Sequence, residues 1–212
     1  MKELSVIIPV YNESDIIQTV IRDWMNALNE LKIDYIIMAY NDGSTDNSLN
    51  KLKDMKYDQG QLEVIDKTNS GHGPTILKGY RDSKSEWIFQ IDSDNEIKAD
   101  TFHKFWEERF DYDFIIGHRA NRESPFARKI VSLFSKMTVN IFYGSGINDI
   151  NCPYRLYRKD SFDKYFNLIP DYTFAPNVIL SGVALKSKMR IKIIDVEYSF
   201  RETGEVSIKK LK

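Results

Sequence analysis

Cysteine and long apolar runs are scarce in this sequence. Cys152 is the one cysteine among 212 residues. It cannot form an internal disulfide, so we expect a reducing compartment, with the cytoplasm as the default location. The longest apolar runs are about six residues, as at 35–40, whereas a membrane-spanning helix needs about 20. The first residues enter a strand-like segment without the layout of a signal peptide. We therefore expect no membrane anchor within this sequence.

An excess of charge of either sign is also missing. The 30 lysine and arginine residues are balanced by 31 acidic residues, which leaves a net charge of -1. Nucleic-acid-binding modules usually carry a basic excess on one face, so we expect no nucleic acid partner. Neither Gly-x-x-x-x-Gly-Lys-Ser/Thr nor Gly-x-Gly-x-x-Gly follows the first predicted strand. This excludes a P-loop NTPase and a standard dinucleotide dehydrogenase.

The sequence does contain a regular alternation of strand-like and helix-like segments. The spacing of Ile17, Val20, Trp24 and Leu28 places an apolar stripe on one helix, which Ser14 would cap. Strands are predicted at 4–9, 35–40, 62–65, 87–91, 113–117, 154–158 and 189–200, and further helices at 46–55, 74–83, 99–109 and within 124–143. Strands that alternate with helices predict an α/β fold with a mostly parallel central sheet flanked by helices.

Acidic side chains follow the fourth predicted strand. Ligands of open parallel sheets bind beyond the carboxyl ends of the strands. Asp92 and Asp94 lie two residues apart, so in an extended chain they point to the same side. Adjacent carboxylates repel each other unless a cation lies between them or one is protonated, and oxygen ligands favour Mg²⁺ or Mn²⁺. Glu96 would add a third oxygen. The alternative is a solvated turn that merely ends the strand.

Four motifs, each at the end of a predicted strand, carry a resemblance to a known family. They are Val-Ile-Ile-Pro-Val-Tyr-Asn-Glu at 6–13, Asn-Asp-Gly-Ser-Thr-Asp at 41–46, Asn-Ser-Gly-His-Gly at 69–73 and Asp-Ser-Asp at 92–94. Their order and spacing resemble the family 2 glycosyltransferases. The resemblance implies a GT-A (Rossmann-like) fold that spans residues 1–212 as a single domain. A nucleotide-sugar-binding half would cover 1–98 and an acceptor-binding half 99–212.

Further motifs resemble one branch of that family, the polyprenyl-phosphate glycosyltransferases, which include the dolichol-phosphate mannose synthases. These motifs are Gly-His-Arg at 117–119, an arginine-bearing amphipathic segment, Asp-Ile-Asn-Cys-Pro-Tyr-Arg-Leu-Tyr-Arg at 149–158 and Arg-Glu-Thr-Gly-Glu-Val-Ser at 201–207. Pro153 departs from the branch, which usually has glycine at that position, and proline restricts the backbone of the acceptor loop. Asn41 replaces the first acid of the family's Asp-Asp-Gly-Ser motif.

The resemblance implies a role for each matched position. Metal binding would fall to Asp92, Asp94 and Glu96. The catalytic residues would be Asp94, Asp149 and Arg201. The nucleotide-binding residues would be Pro9, Tyr11, Glu13, Asp42, Gly71, Gly73 and Asp92. The acceptor-binding residues would be Arg119, Arg128, Arg155 and Ser207.

The activity implied is that of a metal-dependent inverting hexosyltransferase. The donor would be a UDP- or GDP-sugar, the cofactor Mg²⁺ or Mn²⁺, and the acceptor a polyprenyl or dolichyl phosphate. The alternatives are transfer to a hydroxyl of a surface polysaccharide or other glycan, and a non-catalytic nucleotide-sugar-binding module. Asp149 would be the general base for a hydroxyl acceptor, but a phosphate acceptor needs none, so Asp149 could instead orient groups.

Membrane contact is a separate question, because the branch uses lipid acceptors. The predicted helix within 124–143 has an apolar side that would face either the core or a membrane surface. We expect a cytoplasmic protein, with a separately encoded membrane subunit or peripheral attachment as the two ways of reaching a lipid. His72, between two glycines, is either a turn residue or a contact to the donor phosphates.

Overall fold

A seven-stranded sheet forms the centre of the molecule. The structure is a computed structural model that describes residues 2–58, 61–119 and 146–199. The strands are β1 (Leu4–Val10), β2 (Tyr35–Asp42), β3 (Leu62–Lys67), β4 (Trp87–Gln90), β5 (Phe114–Arg119), β6 (Arg155–Arg158) and β7 (Ile191–Val196). Their order across the sheet is β3-β2-β1-β4-β6-β5-β7. Strands from both predicted halves of the chain therefore belong to one sheet.

All strands except β6 run in the same direction. The pairs β1/β2, β1/β4, β2/β3 and β5/β7 are parallel, whereas β6 runs antiparallel to both β4 and β5. Every residue of β1 is buried, as is typical of a parallel strand with both faces covered. The prediction of an α/β fold with a mostly parallel sheet is confirmed. Because β6 is reversed, the chain that leaves the loop at 146–154 runs back toward the amino ends of the parallel strands.

Helices flank the sheet. They are α1 (Ile17–Glu30), α2 (Ser48–Asp58), α3 (His72–Asp82), α4 (Phe102–Glu108), α5 (Lys159–Leu168) and α6 (Pro176–Lys186). The stripe of α1 is buried as predicted. The Ser14 cap is wrong, because the helix is preceded by Ile16 and has no side-chain cap, while the Ser14 N–H donates to Asp46. Within the described ranges, no helix has the length and apolar character needed to cross a bilayer.

Several predicted boundaries differ from the structure. The predicted helix at 99–109 is divided into α4 and a 3₁₀ turn on either side. The final strand is shorter than 189–200. The sequence did not predict α5 or α6. In α6 the apolar residues surround the axis rather than forming one stripe. The sequence therefore shows no helical period of apolar residues there. The helix predicted within 124–143 lies outside the described residues.

A cluster of aromatic rings packs between α1, β4 and α4. The Tyr154 ring lies 4.7 Å from Phe89 and 5.7 Å from Trp24, measured between ring centroids. Tyr154 is fully buried, and its hydroxyl has no hydrogen-bond partner among the described residues. A buried polar group without a partner lowers stability, because it loses water without compensation.

We predict that Tyr154→Phe stabilises the protein. The substitution keeps the ring contacts and removes the unpaired hydroxyl, so the free energy of unfolding should rise by about 1 kcal/mol. Denaturant unfolding measures this change. Tyr80→Phe is the matched control, because the equally buried Tyr80 hydroxyl donates to Asn177 at 2.8 Å. A loss of stability in Tyr154→Phe as large as that in Tyr80→Phe would contradict the prediction.

Candidate active site

The turns that follow β1 and β2 are joined by hydrogen bonds. The Asn12 N–H donates to the Ser44 hydroxyl at 3.0 Å, and the Asn12 side-chain oxygen accepts from the Thr45 N–H at 2.8 Å. Asn12 adopts a positive φ of 55°, a conformation that asparagine tolerates well. The same turn holds Tyr11 half-exposed and Glu13 buried. Two predicted nucleotide-binding residues thus share one rigid turn at the carboxyl edge of the sheet.

Asp42, at the end of β2, organises the loop after β3. Its carboxylate forms an ion pair with Lys67 and accepts hydrogen bonds from the N–H groups of Ser70, at 2.8 Å, and Gly71, at 2.9 Å. Gly71 has a φ of 92°, which favours glycine at this position. Both carboxylate oxygens therefore bind the protein itself. The structure shows that Asp42 fixes the loop after β3 through these bonds. Recognition of the nucleotide base by Asp42 stays a prediction.

Two predicted nucleotide-binding residues also have a packing role. Pro9 is buried inside β1, in register with Tyr40 of β2. A Cβ atom on Gly73 would lie 2.2 Å from the Phe174 carbonyl oxygen, so glycine is required there for the close approach of a neighbouring backbone. The direct nucleotide contact expected of these residues stays a prediction.

Asp92 follows β4 and is held from two sides. Its Oδ1 atom accepts hydrogen bonds from His72 Nε2 at 2.8 Å and from Gln90 Nε2 at 2.9 Å. Burial alone would raise the pKa of Asp92, but attraction to His72 and the hydrogen bond from it outweigh burial and lower that pKa. Burial alone would likewise lower the pKa of His72, yet Asp92 raises it above 6.5. A charged imidazolium–carboxylate pair is therefore favoured.

The other two predicted metal ligands line the same cavity as Asp92. Its lining includes Asp94, Glu96, Pro153 and Tyr154. Asp94 accepts a hydrogen bond from the Glu96 N–H at 3.2 Å. Among the described residues, no three acidic, histidine or cysteine side chains converge closely enough to hold a metal ion. The metal site expected of Asp92, Asp94 and Glu96 stays a prediction.

The donor set nonetheless suits a hard divalent cation. In the described part of the chain, both hydrogen bonds to Asp92 reach Oδ1, so Oδ2 accepts from neither of these donors. Mg²⁺ and Mn²⁺ bind through oxygen, and Mg²⁺ is usually held by one or two carboxylates together with substrate phosphates. Asp92 and Asp94 would hold such an ion. A direct role for Glu96 stays a prediction.

A buried arginine lies opposite these carboxylates. Arg119, at the end of β5, donates from Nε to Asp149 at 2.6 Å and from a terminal nitrogen to the other carboxylate oxygen at 2.8 Å. Burial would lower the pKa of Arg119, but the hydrogen bonds that Arg119 donates to Asp149 raise it instead. Arg119 is close enough to Asp92 to lower the pKa of that carboxyl. The predicted acceptor-side pair of Arg119 and Asp149 therefore lies near the predicted metal ligand Asp92.

Arg155 does not reach the crevice. Its side chain is completely buried and donates to the carbonyl oxygens of Ile150, at 3.0 Å, and Cys152, at 2.7 Å from the same nitrogen. These bonds fix the loop that carries Asp149. The predicted acceptor contact of Arg155 is corrected to a structural one, because its guanidinium is engaged inside the protein. Burial also raises the pKa of the Cys152 thiol to about 12, which leaves the thiol unreactive.

Three predicted functional residues cannot be placed. Arg128, Arg201 and Ser207 lie outside the described residues. Their predicted contacts to acceptor and diphosphate stay predictions.

Sequence reasoning also missed Gln90 and Asn177. Both are buried and connected to each other, and Gln90 contacts Asp92. A polar residue inside the apolar segment 87–91 was the available signal for Gln90.

Comparison with known proteins decides the family. The model of the family described as "Glycosyl transferase family 2" matches residues 5–166. The chain belongs to glycosyl transferase family 2. The match covers both the Tyr11 turn and the Asp92–Asp94 motif. It confirms the family expected from the sequence motifs.

Curated family 2 relatives with similar sequences come from two bacteria. The undecaprenyl-phosphate 4-deoxy-4-formamido-L-arabinose transferase of Serratia proteamaculans (strain 568) is 26% identical over 206 residues, which are 96% of this chain. The protein of the same name from Klebsiella pneumoniae (strain 342) is 27% identical over 206 residues, again 96% of this chain. The chain spans 63% and 62% of the length of these relatives.

Solved structures share the fold. S. aureus TarS 1-349 in complex with UDP-GlcNAc matches with a TM-score of 0.65 and 20% identity, over 97% of this chain and 60% of that one. Glucosyl-3-phosphoglycerate synthase from Mycobacterium tuberculosis, in complex with Mn²⁺ and UDP-glucose, matches with a TM-score of 0.71 and 12% identity, over 97% and 73%. The predicted GT-A fold of this family 2 chain is confirmed.

We predict that the His72–Asp92 pair stabilises the metal-free protein most at mildly acidic pH. A raised histidine pKa adds stability that is present below 6.5 and lost as pH rises through the raised value. A lowered aspartate pKa adds stability that is present above 3.8 and lost as pH falls through the lowered value. The difference in melting temperature between wild type and His72→Gln, measured in EDTA, should therefore be largest between these limits.

His103→Gln is the control for this experiment, since His103 bonds a backbone carbonyl rather than a carboxylate. A stabilising effect of His72 that grows as pH rises above neutrality would contradict the assignment.

Proposed function

We propose that this chain is the catalytic domain of a metal-dependent, inverting glycosyltransferase. It moves a hexose from a UDP- or GDP-sugar to a polyprenyl or dolichyl phosphate. The observation that carries the proposal is the meeting of two sets of groups at one sheet edge. The carboxylates of Asp92 and Asp94 lie on the donor side, and the guanidinium of Arg119 lies on the acceptor side, close enough to attract Asp92.

The donor side suits the departure of a diphosphate. Negative charge builds on the leaving diphosphate as the sugar is transferred, and a bound divalent cation stabilises that charge. Asp92 and Asp94 would hold the cation. His72, at the first turn of α3, faces Asp92 and is half-exposed. The turn of Tyr11 and Glu13 would bind the nucleoside, so that residues 1–98 form the donor half and residues 99–212 the acceptor half.

The acceptor side favours a phosphate over a hydroxyl. A hydroxyl must lose a proton as it attacks, which requires a general base. Asp149 is the candidate, yet both of its oxygens accept hydrogen bonds from Arg119. A phosphomonoester, with a second pKa near 6, attacks without a base. An arginine fork also matches the geometry of phosphate oxygens. Asp149 then holds Arg119 in position.

The relatives support the same acceptor. Both relatives are named undecaprenyl-phosphate 4-deoxy-4-formamido-L-arabinose transferases. We propose that this chain acts at the cytoplasmic face of a membrane, where such a lipid would be reached through a membrane subunit or peripheral contact. The new glycosidic bond forms as the bond between the sugar and the diphosphate breaks, in a single in-line displacement that inverts the anomeric configuration.

We predict that nucleotide binding depends on the cation through Asp94. UDP or GDP should raise the melting temperature more in Mn²⁺ than in EDTA, and Asp94→Asn should remove most of that difference, because it removes a charged oxygen ligand. Thermal-shift measurements with each nucleotide check this. Asp195→Asn is the control, since the exposed Asp195 pairs with His118 away from the cavity. Equal shifts with and without Mn²⁺ in the wild type would contradict the metal assignment.

We predict that efficient transfer to a phosphate acceptor depends on Arg119. Arg119→Lys keeps the charge but loses the planar fork, so kcat/KM for a short-chain polyprenyl phosphate should fall by about tenfold or more. Mn²⁺-dependent UDP or GDP binding should be unchanged. Transfer of radiolabelled sugar into an organic-extractable, mild-acid-labile product is the measurement, with the unphosphorylated polyprenol as the matched acceptor control. Equal transfer to the polyprenol would overturn the phosphate acceptor.

A further inference from the structure

A set of buried polar side chains lies behind Asp92. Gln90 and Tyr80 are completely buried, and Asn177, at the start of α6, is 3% exposed. Buried polar groups of this kind are costly unless every donor and acceptor is paired. Gln90 sits on β4, two residues before Asp92, so both side chains leave the strand on the same side.

Hydrogen bonds join these side chains into a chain that ends on Asp92. The Tyr80 hydroxyl donates to Asn177 Oδ1 at 2.8 Å, Asn177 Nδ2 donates to Gln90 Oε1 at 3.0 Å, and Gln90 Nε2 donates to Asp92 Oδ1 at 2.9 Å. Arg155 also fixes the backbone of Asn177, because its guanidinium donates to the Asn177 main-chain carbonyl oxygen at 3.1 Å.

The direction of each bond follows from the groups at the two ends. An ionised carboxylate can only accept, so Gln90 must turn its NH₂ group toward Asp92 and its oxygen toward Asn177. Asn177 must then present its own NH₂ group to Gln90 and its oxygen to Tyr80. If either amide were reversed, two acceptors would face each other in a buried space. The network therefore has one satisfied arrangement.

We propose that Gln90 is a positioning residue that fixes the Asp92 carboxylate for the donor's divalent cation, and that Asn177 fixes the orientation of Gln90. This inference rests on the proposed function. Gln90 occupies Oδ1 and holds the carboxylate plane, so that Oδ2 is presented away from the network. Hydrogen-bonded partners behind metal ligands orient those ligands, and their loss typically weakens metal affinity by about 10–100-fold.

The test is Mn²⁺ affinity in the presence of saturating UDP or GDP, measured from the electron paramagnetic resonance signal of free Mn²⁺. Gln90→Met keeps the unbranched shape but cannot donate, so Mn²⁺ affinity should fall by about tenfold. More Mn²⁺ should then be needed for half-maximal transfer, while kcat at saturating Mn²⁺ stays near the wild-type value. Asn177→Leu, which is similar in size and cannot donate to Gln90, should shift Mn²⁺ affinity in the same direction and serves if Gln90→Met does not fold.

Ser85→Ala is the matched control. It removes another buried hydrogen bond, the 2.8 Å contact between Ser85 and Ser5, without touching Asp92. We expect it to lower the melting temperature and leave Mn²⁺ affinity unchanged.

If the wild type bound Mn²⁺ and both network variants kept its affinity within twofold, only the positioning role would be overturned. If the wild type bound no Mn²⁺ with either nucleotide, the proposed function and this inference would both be overturned. The two failures are therefore distinguishable.

Discussion

The position of one carboxylate, that of Asp92, links most of the polar architecture of this protein. The carboxylate is partly buried at the end of a parallel strand, where an unpaired charge would be disfavoured. An imidazole from α3 and an amide from β4 both reach the same oxygen. The opposite charge and the hydrogen bonds keep the group ionised despite burial, and they lower its pKa. A metal-binding carboxylate must meet the same condition.

The two buried arginines near this carboxylate illustrate different uses of the same side chain. Arg119 has a carboxylate partner, Asp149, in a two-point ion pair. Arg155 is satisfied by backbone carbonyls and by neutral hydroxyl groups. The first arrangement keeps the Arg119 guanidinium, the proposed phosphate-binding group, in a defined place at the edge of the sheet. The second fastens the loop that carries Asp149, so the functional pair depends on the structural one.

The N-terminal part of the fold follows from local patterns in the sequence. β1, β2 and β4 are buried apolar segments, and α1 has a clear apolar stripe, so each could be predicted before any contact was known. Predicted active-site positions came from the residues that follow those strands. The C-terminal part is less periodic. α6 has no single apolar stripe, and β6 reverses direction, which no local pattern indicated.

The sequence by itself determined the α/β class, the family and the strand ends that carry Tyr11, Asp42, Asp92 and Arg119. These features are local, because strand and helix periods and short motifs are written in neighbouring residues. Only the tertiary structure decided that Arg155 is structural, that Gly73 accommodates a backbone, and that Gln90 and Asn177 support Asp92. Each of these depends on contacts between residues far apart in the chain, such as Gln90 and Asn177, and a hydrogen-bond partner across that separation has no signature in the local sequence.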